Sequence, residues 1–383
     1  MKNTPHILVN GLCVPPGGVF TVARELVLSL ATQRPDWRFS LVLSEGRPVH
    51  QEFKQVAFPK NTSLVWTPAI TANHAGRLLY ENTMLTRWSK RNGVTAAMQL
   101  NGMMIPALDV PTFSHAGDPW PYRHDLWSHD PYESAVMAVK RHEYARALRH
   151  APFVGWTSSY LRDLACDYHG MDAKQSEVLH NGLPEAYRHR AAGQLPDWSS
   201  RPLEILTVSN VVSYKRQELV IRSLARLVRR SGLESARYRM LGAVEPKYRR
   251  TLETLAARLG VADRIIIEGR VPQERIEHCL AEARVFAFMS VCECFGIPPV
   301  EAMSFGTPVI TADCCSAREI YGEAAEYSVP DDLEMLTDKL EMLLTDEHRA
   351  NELRVLGAQR AQLYSWERTG QSIAHHFAGM MGI

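Results

Sequence analysis

No stretch of this chain approaches about 18 uninterrupted apolar residues, so the sequence offers no membrane-spanning helix, although it leaves room for peripheral attachment. Net charge is almost absent too. The 43 Lys and Arg against 42 Asp and Glu leave a formal +1, too small a field to argue for a nucleic-acid partner or a strongly acidic substrate. Cysteine is sparse and odd in number: seven residues, several in apolar or helical settings, read as reduced thiols and not as a disulfide framework. The start of the chain has no basic segment followed by an apolar stretch and a cleavage site; Met1–Asn10 runs directly into a strand pattern. A cytoplasmic protein is expected, with room for contact at the inner face of a membrane.

What is present is the balance of a folded globular protein, 45% hydrophobic and 22% charged residues. A chain of 383 residues suits two cores of roughly 150–200 residues each, which should meet at a cleft. Short β-rich runs alternate with helix-length stretches over almost the whole length, the pattern of open parallel sheets with helices on both faces. The predicted strands of the first half are His6–Asn10, Phe39–Leu43, Ser63–Thr67, Ala96–Leu100, Val110–Ser114, Phe153–Thr157 and Glu177–His180. Those of the second are Glu204–Ser209, Tyr238–Gly242, Arg264–Glu268, Val285–Met289 and Pro308–Ala312. Low apolar periodicity around Gly193, Pro196, Ser199 and Ser200 marks a linker. The domains are therefore expected at 1–190 and 202–365, joined by 191–201, with a final amphipathic helix over 366–383 able to cross back to the first domain.

The most informative stretch runs from Glu293 through Phe295, Gly296, Ile297 and Glu301 to Ile310, between two predicted strands, with a helix starting near Pro298 or Pro299. Backbone N–H groups of Phe295, Gly296 and Ile297 lie near the positive end of that helix, which suits a phosphate or a sugar hydroxyl. Proline in a first helical turn loses no donor that would otherwise be used. Two carboxylates bracket the turn, and each can accept charge-assisted hydrogen bonds from hydroxyls; a surface carboxylate favoured by the helix dipole is the bland alternative for either one alone.

This segment resembles the E-x7-E signature of the large retaining GT-B glycosyltransferase family (family 4, group 1), in the form E-x-F-G-x-x-x-x-E-A-M-x-x-G-x-P-V-I. The resemblance implies an α/β fold of two Rossmann-like doubly wound domains facing across a cleft, the first on the acceptor side and the second holding a nucleoside diphosphate sugar. It implies a hexosyltransferase that works with retention, without a metal or other cofactor, on a glycan, lipid-linked or small-molecule acceptor. It assigns Glu293 to the transferred sugar, Glu301 to the ribose hydroxyls, and Lys215, after the strand that begins the second domain, to the donor diphosphate. Arg216 and Asn210 join the donor set because Ser209-Asn210 stands where the family has Gly-Arg, a departure that weakens the cationic clamp. Cys294 replaces a frequent glycine. In the first half the resemblance points to the Gly17-Gly18 turn, with Gly18 near the donor phosphate, and to His115 near the transferred sugar. Asn181-Gly182 matches the family's N-G and reads as a turn.

Cys292, Cys294, Cys314 and Cys315 lack the spacing of a zinc site and are expected as structural thiols. Gly76–Gly93 mixes Arg77, Arg87, Lys90 and Arg91 with Leu78, Leu79, Met84, Leu85 and Trp88, a composition suited to anionic lipid or to an ordinary solvated helix face. Two rivals stay open: a sugar-nucleotide epimerase on the same architecture, disfavoured by the two-carboxylate segment, and a catalytically silent partner subunit, disfavoured by the joint presence of Lys215, Glu293 and Glu301.

Overall fold

A computed structural model describes residues 4–100, 104–105, 107–127, 130–172, 175–193 and 197–383. The chain divides into two compact units, 1–182 with 366–383, and 183–365.

The first unit holds one all-parallel sheet in the order β3-β2-β1-β4-β5-β6-β7. Its strands are β1 (His6–Asn10), β2 (Arg38–Ser44), β3 (Thr62–Thr67), β4 (Ala96–Leu100), β5 (Thr112–Ala116), β6 (Phe153–Trp156) and β7 (Ser176–Val178). β1, β4 and β5 are buried along their whole length, as central strands covered on both faces must be. Helix Gly18–Gln33 lies on this sheet through Ala23, Leu26, Val27, Leu30 and Ala31, a stripe at helical spacing. Helix Trp366–Met381 belongs to the same unit. Ser29 Oγ donates to its Trp366 carbonyl (2.7 Å), and Gly370 lies so close to Ser29 that a Cβ there would stand 2.2 Å from its hydroxyl.

The second unit has a six-stranded parallel sheet in the order β10-β9-β8-β11-β12-β13. These are β8 (Glu204–Val208), β9 (Arg237–Leu241), β10 (Ile265–Gly269), β11 (Val285–Phe288), β12 (Val309–Ala312) and β13 (Ala325–Ser328). Along and just past β11 the side chains alternate between two cores, as the period of a strand requires. Val285, Ala287 and Met289 enter a cluster with Leu224, Tyr238 and Leu340, while Phe286 and Phe288 enter one with Phe295, Met303 and Tyr321.

Two expectations are corrected here, and one strand is added. The boundary lies between Gly182 and Leu183, not near 190, because helix Glu185–Ala192 buries Tyr187 and Ala191 in the second unit's core. The stretch expected as a linker, of which 194–196 lie outside the described residues, is likewise part of that unit: Trp198 is buried, its ring N–H donates to the Arg284 carbonyl (3.0 Å), and the Arg284 guanidinium covers its ring at 4.2 Å. β13 was not foreseen, since it is only four residues long and carries Glu326, which Lys339 (2.8 Å) and Arg349 (2.5 Å) neutralise.

Candidate functional site

In both sheets the strand order reverses next to the first strand, between β1 and β4 and between β8 and β11, and the loops leaving the carboxyl ends at such a point are where open α/β sheets hold ligands. In the second unit those two loops carry Lys215 and Glu293. The Val291 N–H donates to the Tyr214 carbonyl (3.0 Å), which ties one loop to the other. Lys215 ends the single turn Ser213–Lys215, and its ammonium is ion-paired and hydrogen-bonded to Glu293 Oε1. The Nζ also stands 4.9 Å from the Phe288 ring centroid and 5.1 Å from that of Tyr214. Burial alone would lower the lysine's pKa; the Glu293 charge, with smaller help from Tyr214, outweighs it and holds the ammonium above its ordinary value. A charged, largely dry lysine thus rests between two loops.

Past Glu293 the chain turns into helix Ile297–Ser304 through Gly296, whose φ of 76° is left-handed and suited to glycine. Tyr321, buried, donates its hydroxyl toward both the Phe295 carbonyl (3.1 Å) and the Gly296 carbonyl (3.0 Å). A Cβ on Gly296 would stand 2.1 Å from that hydroxyl oxygen. Phe295 is buried edge-on against Tyr364, so it anchors the turn by its side chain, and Ile297 packs on the same core. Glu301 lies in the second turn of the helix, partly exposed; its charge reinforces the upward push that burial gives the Tyr187 phenol. Tyr187 in turn donates to Glu277 (2.9 Å).

The remaining donor candidates sit differently. Arg216, at φ 55° before helix Gln217–Leu227, pairs with Glu218 (3.5 Å) and Asp331 (3.5 Å) and not with Glu293. Asn210 is exposed, and it is its carbonyl that is used: Gln217 Nε2 donates to it (3.0 Å). Buried Gln217, Tyr321 and Tyr187 were not singled out from the sequence, because each acts through partners 7 to 90 positions away. Cys314 and Cys315 point their thiols at the Ser290 and Val291 carbonyls (3.6 and 3.3 Å). Among the described residues no group of three or more His, Cys, Asp or Glu side chains could hold a metal ion.

Gly18 and His115 belong to the first unit. Gly18 opens its helix with nothing within 4 Å of an added Cβ, so sterics do not demand glycine there, whereas Gly17 before it has φ 99°. His115 lies within the strand and not past its end: β5 extends to Ala116, beyond the predicted Ser114, and buries the ring, whose pKa burial pushes down to about 4. The first sheet's reversal point carries a buried polar cluster that the sequence did not reveal. Asn10 Nδ2 donates to Glu81 (2.7 Å) and Gln99 (2.9 Å), and Arg77 lies 3.8 Å from both Glu81 and Glu143. Arg77 is therefore no part of a solvated basic face, and Leu85 is likewise buried in the core. Burial, reinforced by Glu81 and opposed by Arg77, raises the Glu143 carboxyl to about 7. The folded state then binds more protons than the unfolded one between the ordinary carboxyl range and pH 7. Glu143's contribution to stability is full below about pH 4.5 and is lost as pH rises through about 7, by up to about 3 kcal/mol. Glu143→Gln is expected to flatten that part of the melting-temperature profile; an unchanged slope between about pH 5 and 7 would refute the assignment.

Residues 196–360 match the family model described as glycosyl transferases group 1. The chain is 34% identical over 106 residues to O-antigen chain mannosyltransferase B of Escherichia coli, covering 27% of this chain and only 28% of that protein. It is 29% identical over 374 residues to the GDP-mannose-dependent alpha-(1-6)-phosphatidylinositol monomannoside mannosyltransferase of Mycolicibacterium smegmatis, covering 91% of this chain and 90% of that one. In structure it resembles sucrose-phosphate synthase from Thermosynechococcus elongatus, with a TM-score of 0.78 at 18% identity over 99% of both chains. It also resembles Anabaena HepE in complex with UDP-glucose, with a TM-score of 0.74 at 17% identity over 98% of this chain and 99% of that one. The two doubly wound sheets are those of the GT-B fold, and the carboxylate-bracketed turn lies inside the region, residues 196–360, in which this chain is similar to the group 1 glycosyl transferases.

Proposed function

We propose that this chain moves a sugar from a nucleoside diphosphate sugar to a glycan, lipid-linked or small-molecule acceptor, with retention at the anomeric carbon and without an essential metal. The observation that carries the reading is the Lys215–Glu293 pair at the second sheet's reversal point, at the start of a helix that also bears Glu301. GDP-mannose is the first donor to test, since a relative matching nearly the whole chain is GDP-mannose-dependent.

The pair gives the reading its chemistry. An arriving diphosphate is the stronger anion and takes Lys215, which stabilises the leaving group as charge develops on it. Glu293, released, is free to accept hydrogen bonds from the sugar undergoing transfer. Glu301 holds the ribose hydroxyls before and during the reaction. Retention rests on the likeness to the E-x7-E family, and the anomeric configuration of the first product, read by proton NMR, tests it. Incubation with GDP-mannose and UDP-glucose separates an active transferase, which releases sugar slowly to water, from a silent binding subunit, which binds without turnover, and from an epimerase, which returns an isomerised nucleotide sugar.

GDP is expected to raise the melting temperature with no metal added, because Lys215 and the helix start after Gly296 stand in for Mg²⁺; at 100 times the dissociation constant the linkage is about 2.7 kcal/mol. Loss of that shift in chelator would remove the metal-free claim.

Peripheral contact with anionic lipid is proposed at a narrower surface than composition implied: exposed Leu79 (67%) and Met84 (53%) with exposed Arg87, Lys90 and Arg91. No helix among the described residues is long and apolar enough to span a membrane. The protein is expected to sediment with phosphatidylserine vesicles at low salt and not with phosphatidylcholine vesicles; equal sedimentation would overturn this.

A further inference from the structure

Three adjacent strands of the first unit deliver three buried polar side chains to one small cavity. His115 comes from the end of β5, Thr157 from the residue after β6, and Asn181 from the segment that follows β7. Their exposures are 2%, 1% and 4%. His115 Nε2, Thr157 Oγ1 and Asn181 Oδ1 are all buried, and none has a hydrogen-bond partner within the protein. The cavity measures about 20 Å³, and its other walls are apolar: Val19, Val22, Ala23 and Leu100, with Gly117. Gly117 keeps it open, since a Cβ there would lie 3.8 Å from His115 Cε1 and 3.9 Å from Thr157 Oγ1.

One unpaired buried polar atom is uncommon; three around one cavity describe a site for something small that both donates and accepts. The space exceeds the roughly 10–15 Å³ that a water centre needs, and is far too small for a sugar ring. We propose that His115, Thr157 and Asn181 share one internal water, which makes Thr157 and Asn181 positioning residues for the imidazole. Thr157 donates its O–H to the water oxygen, and the water donates one hydrogen to Asn181 Oδ1 and the other to His115 Nε2. That arrangement uses the threonine hydroxyl and both hydrogens of the water, and places the imidazole proton on Nδ1. The surrounding backbone is fixed: the Thr157 N–H donates to the Ala116 carbonyl (3.0 Å), and His180 Nδ1 bonds the Thr157 carbonyl (3.0 Å). The water site does not depend on the reaction proposed above, and it is lost or kept independently of donor binding.

His50 supplies an internal standard. The Ser44 N–H donates to its Nδ1 (2.8 Å), so Nε2 carries the proton and donates to the Val14 carbonyl (3.1 Å). His50 and His115 therefore hold opposite tautomers. Burial keeps both neutral near pH 7, each with its pKa pushed down to about 4. The test is a long-range proton–nitrogen correlation spectrum of the histidine rings in the full chain, with His115 assigned from His115→Gln. The ring is expected as the Nδ1–H tautomer with a hydrogen-bonded Nε2. Thr157→Val and Asn181→Ala should each move the Nε2 resonance toward the unbonded range, Thr157→Ser should restore it, and the His50 signals should stay in place. If Thr157→Val fails to fold, Asn181→Ala decides alone. An Nε2 resonance unmoved by the variants, or a proton found on Nε2, overturns the proposal.

Discussion

Lys215→Ala is expected to lower sugar transfer by about 10²–10³-fold, the range for removing one preorganised charge from a developing anion. The reason lies in how the residue is held. Its ammonium is mostly buried, kept charged by Glu293, and set over the rings of Phe288 and Tyr214, so it costs no reorganisation when a diphosphate arrives. Arg216 does not stand ready to replace it, because its guanidinium is committed to Glu218 and Asp331. Alanine also leaves Glu293 without its cation in a half-buried place, which destabilises the loop. Lys215→Arg is the companion variant: it restores charge but not the compact geometry, and should recover folding better than turnover. Steady-state kinetics beside melting curves read both effects. Full activity in a folded Lys215→Ala would show that the diphosphate is held elsewhere.

Glu301→Gln and Glu293→Gln are expected to fail in different ways. In the proposed reaction Glu301 grips a ribose that is bound equally before and during transfer, so losing its charge should weaken GDP affinity by about 1–3 kcal/mol, roughly 5–150-fold, with a smaller fall in kcat. In the same proposal Glu293 faces the sugar as positive charge develops at the anomeric carbon, so its loss should fall on kcat. Glutamine is preferred to alanine at 293, since the side chain also satisfies Lys215 and an amide oxygen can still accept from it. GDP affinity in Glu293→Gln should hold or improve, because the diphosphate no longer competes with a carboxylate for the lysine. Two folded variants with normal GDP affinity and normal kcat would reduce both carboxylates to surface residues.

The turn into the short helix, where the donor is proposed to bind, was legible because its residues are contiguous. Glu293 to Glu301 lies within one turn and one short helix, and an anion-binding helix start leaves its mark in local composition. What joins that segment to the rest was not legible. Lys215 reaches Glu293 across 78 positions, and Tyr321 braces the Gly296 turn from 25 positions away. Pairings at such separations follow from sheet order, which the strand pattern alone leaves undetermined. The first unit was read less well for a related reason. The predicted strand Val110–Ser114 stops one residue short of His115, whereas β5 runs on to Ala116 and buries it. Arg77 was counted among exposed cations because helical spacing cannot announce a buried partner such as Glu143, 66 positions on. The boundary was displaced by composition: Gly, Ser and Pro near 193–202 suggested a tether, while Trp198 and Arg201 in the same stretch are core residues of the second unit.

The central claim is that the second unit binds a nucleoside diphosphate where β8 and β11 part. Calorimetric titration of GDP, UDP and ADP into the metal-free protein, repeated with Lys215→Ala, tests it most directly. The account predicts that GDP binds tightest, without metal, and that the substitution weakens it sharply while the protein stays folded. Failure of all three nucleotides to bind, or GDP affinity unchanged in Lys215→Ala, would contradict it.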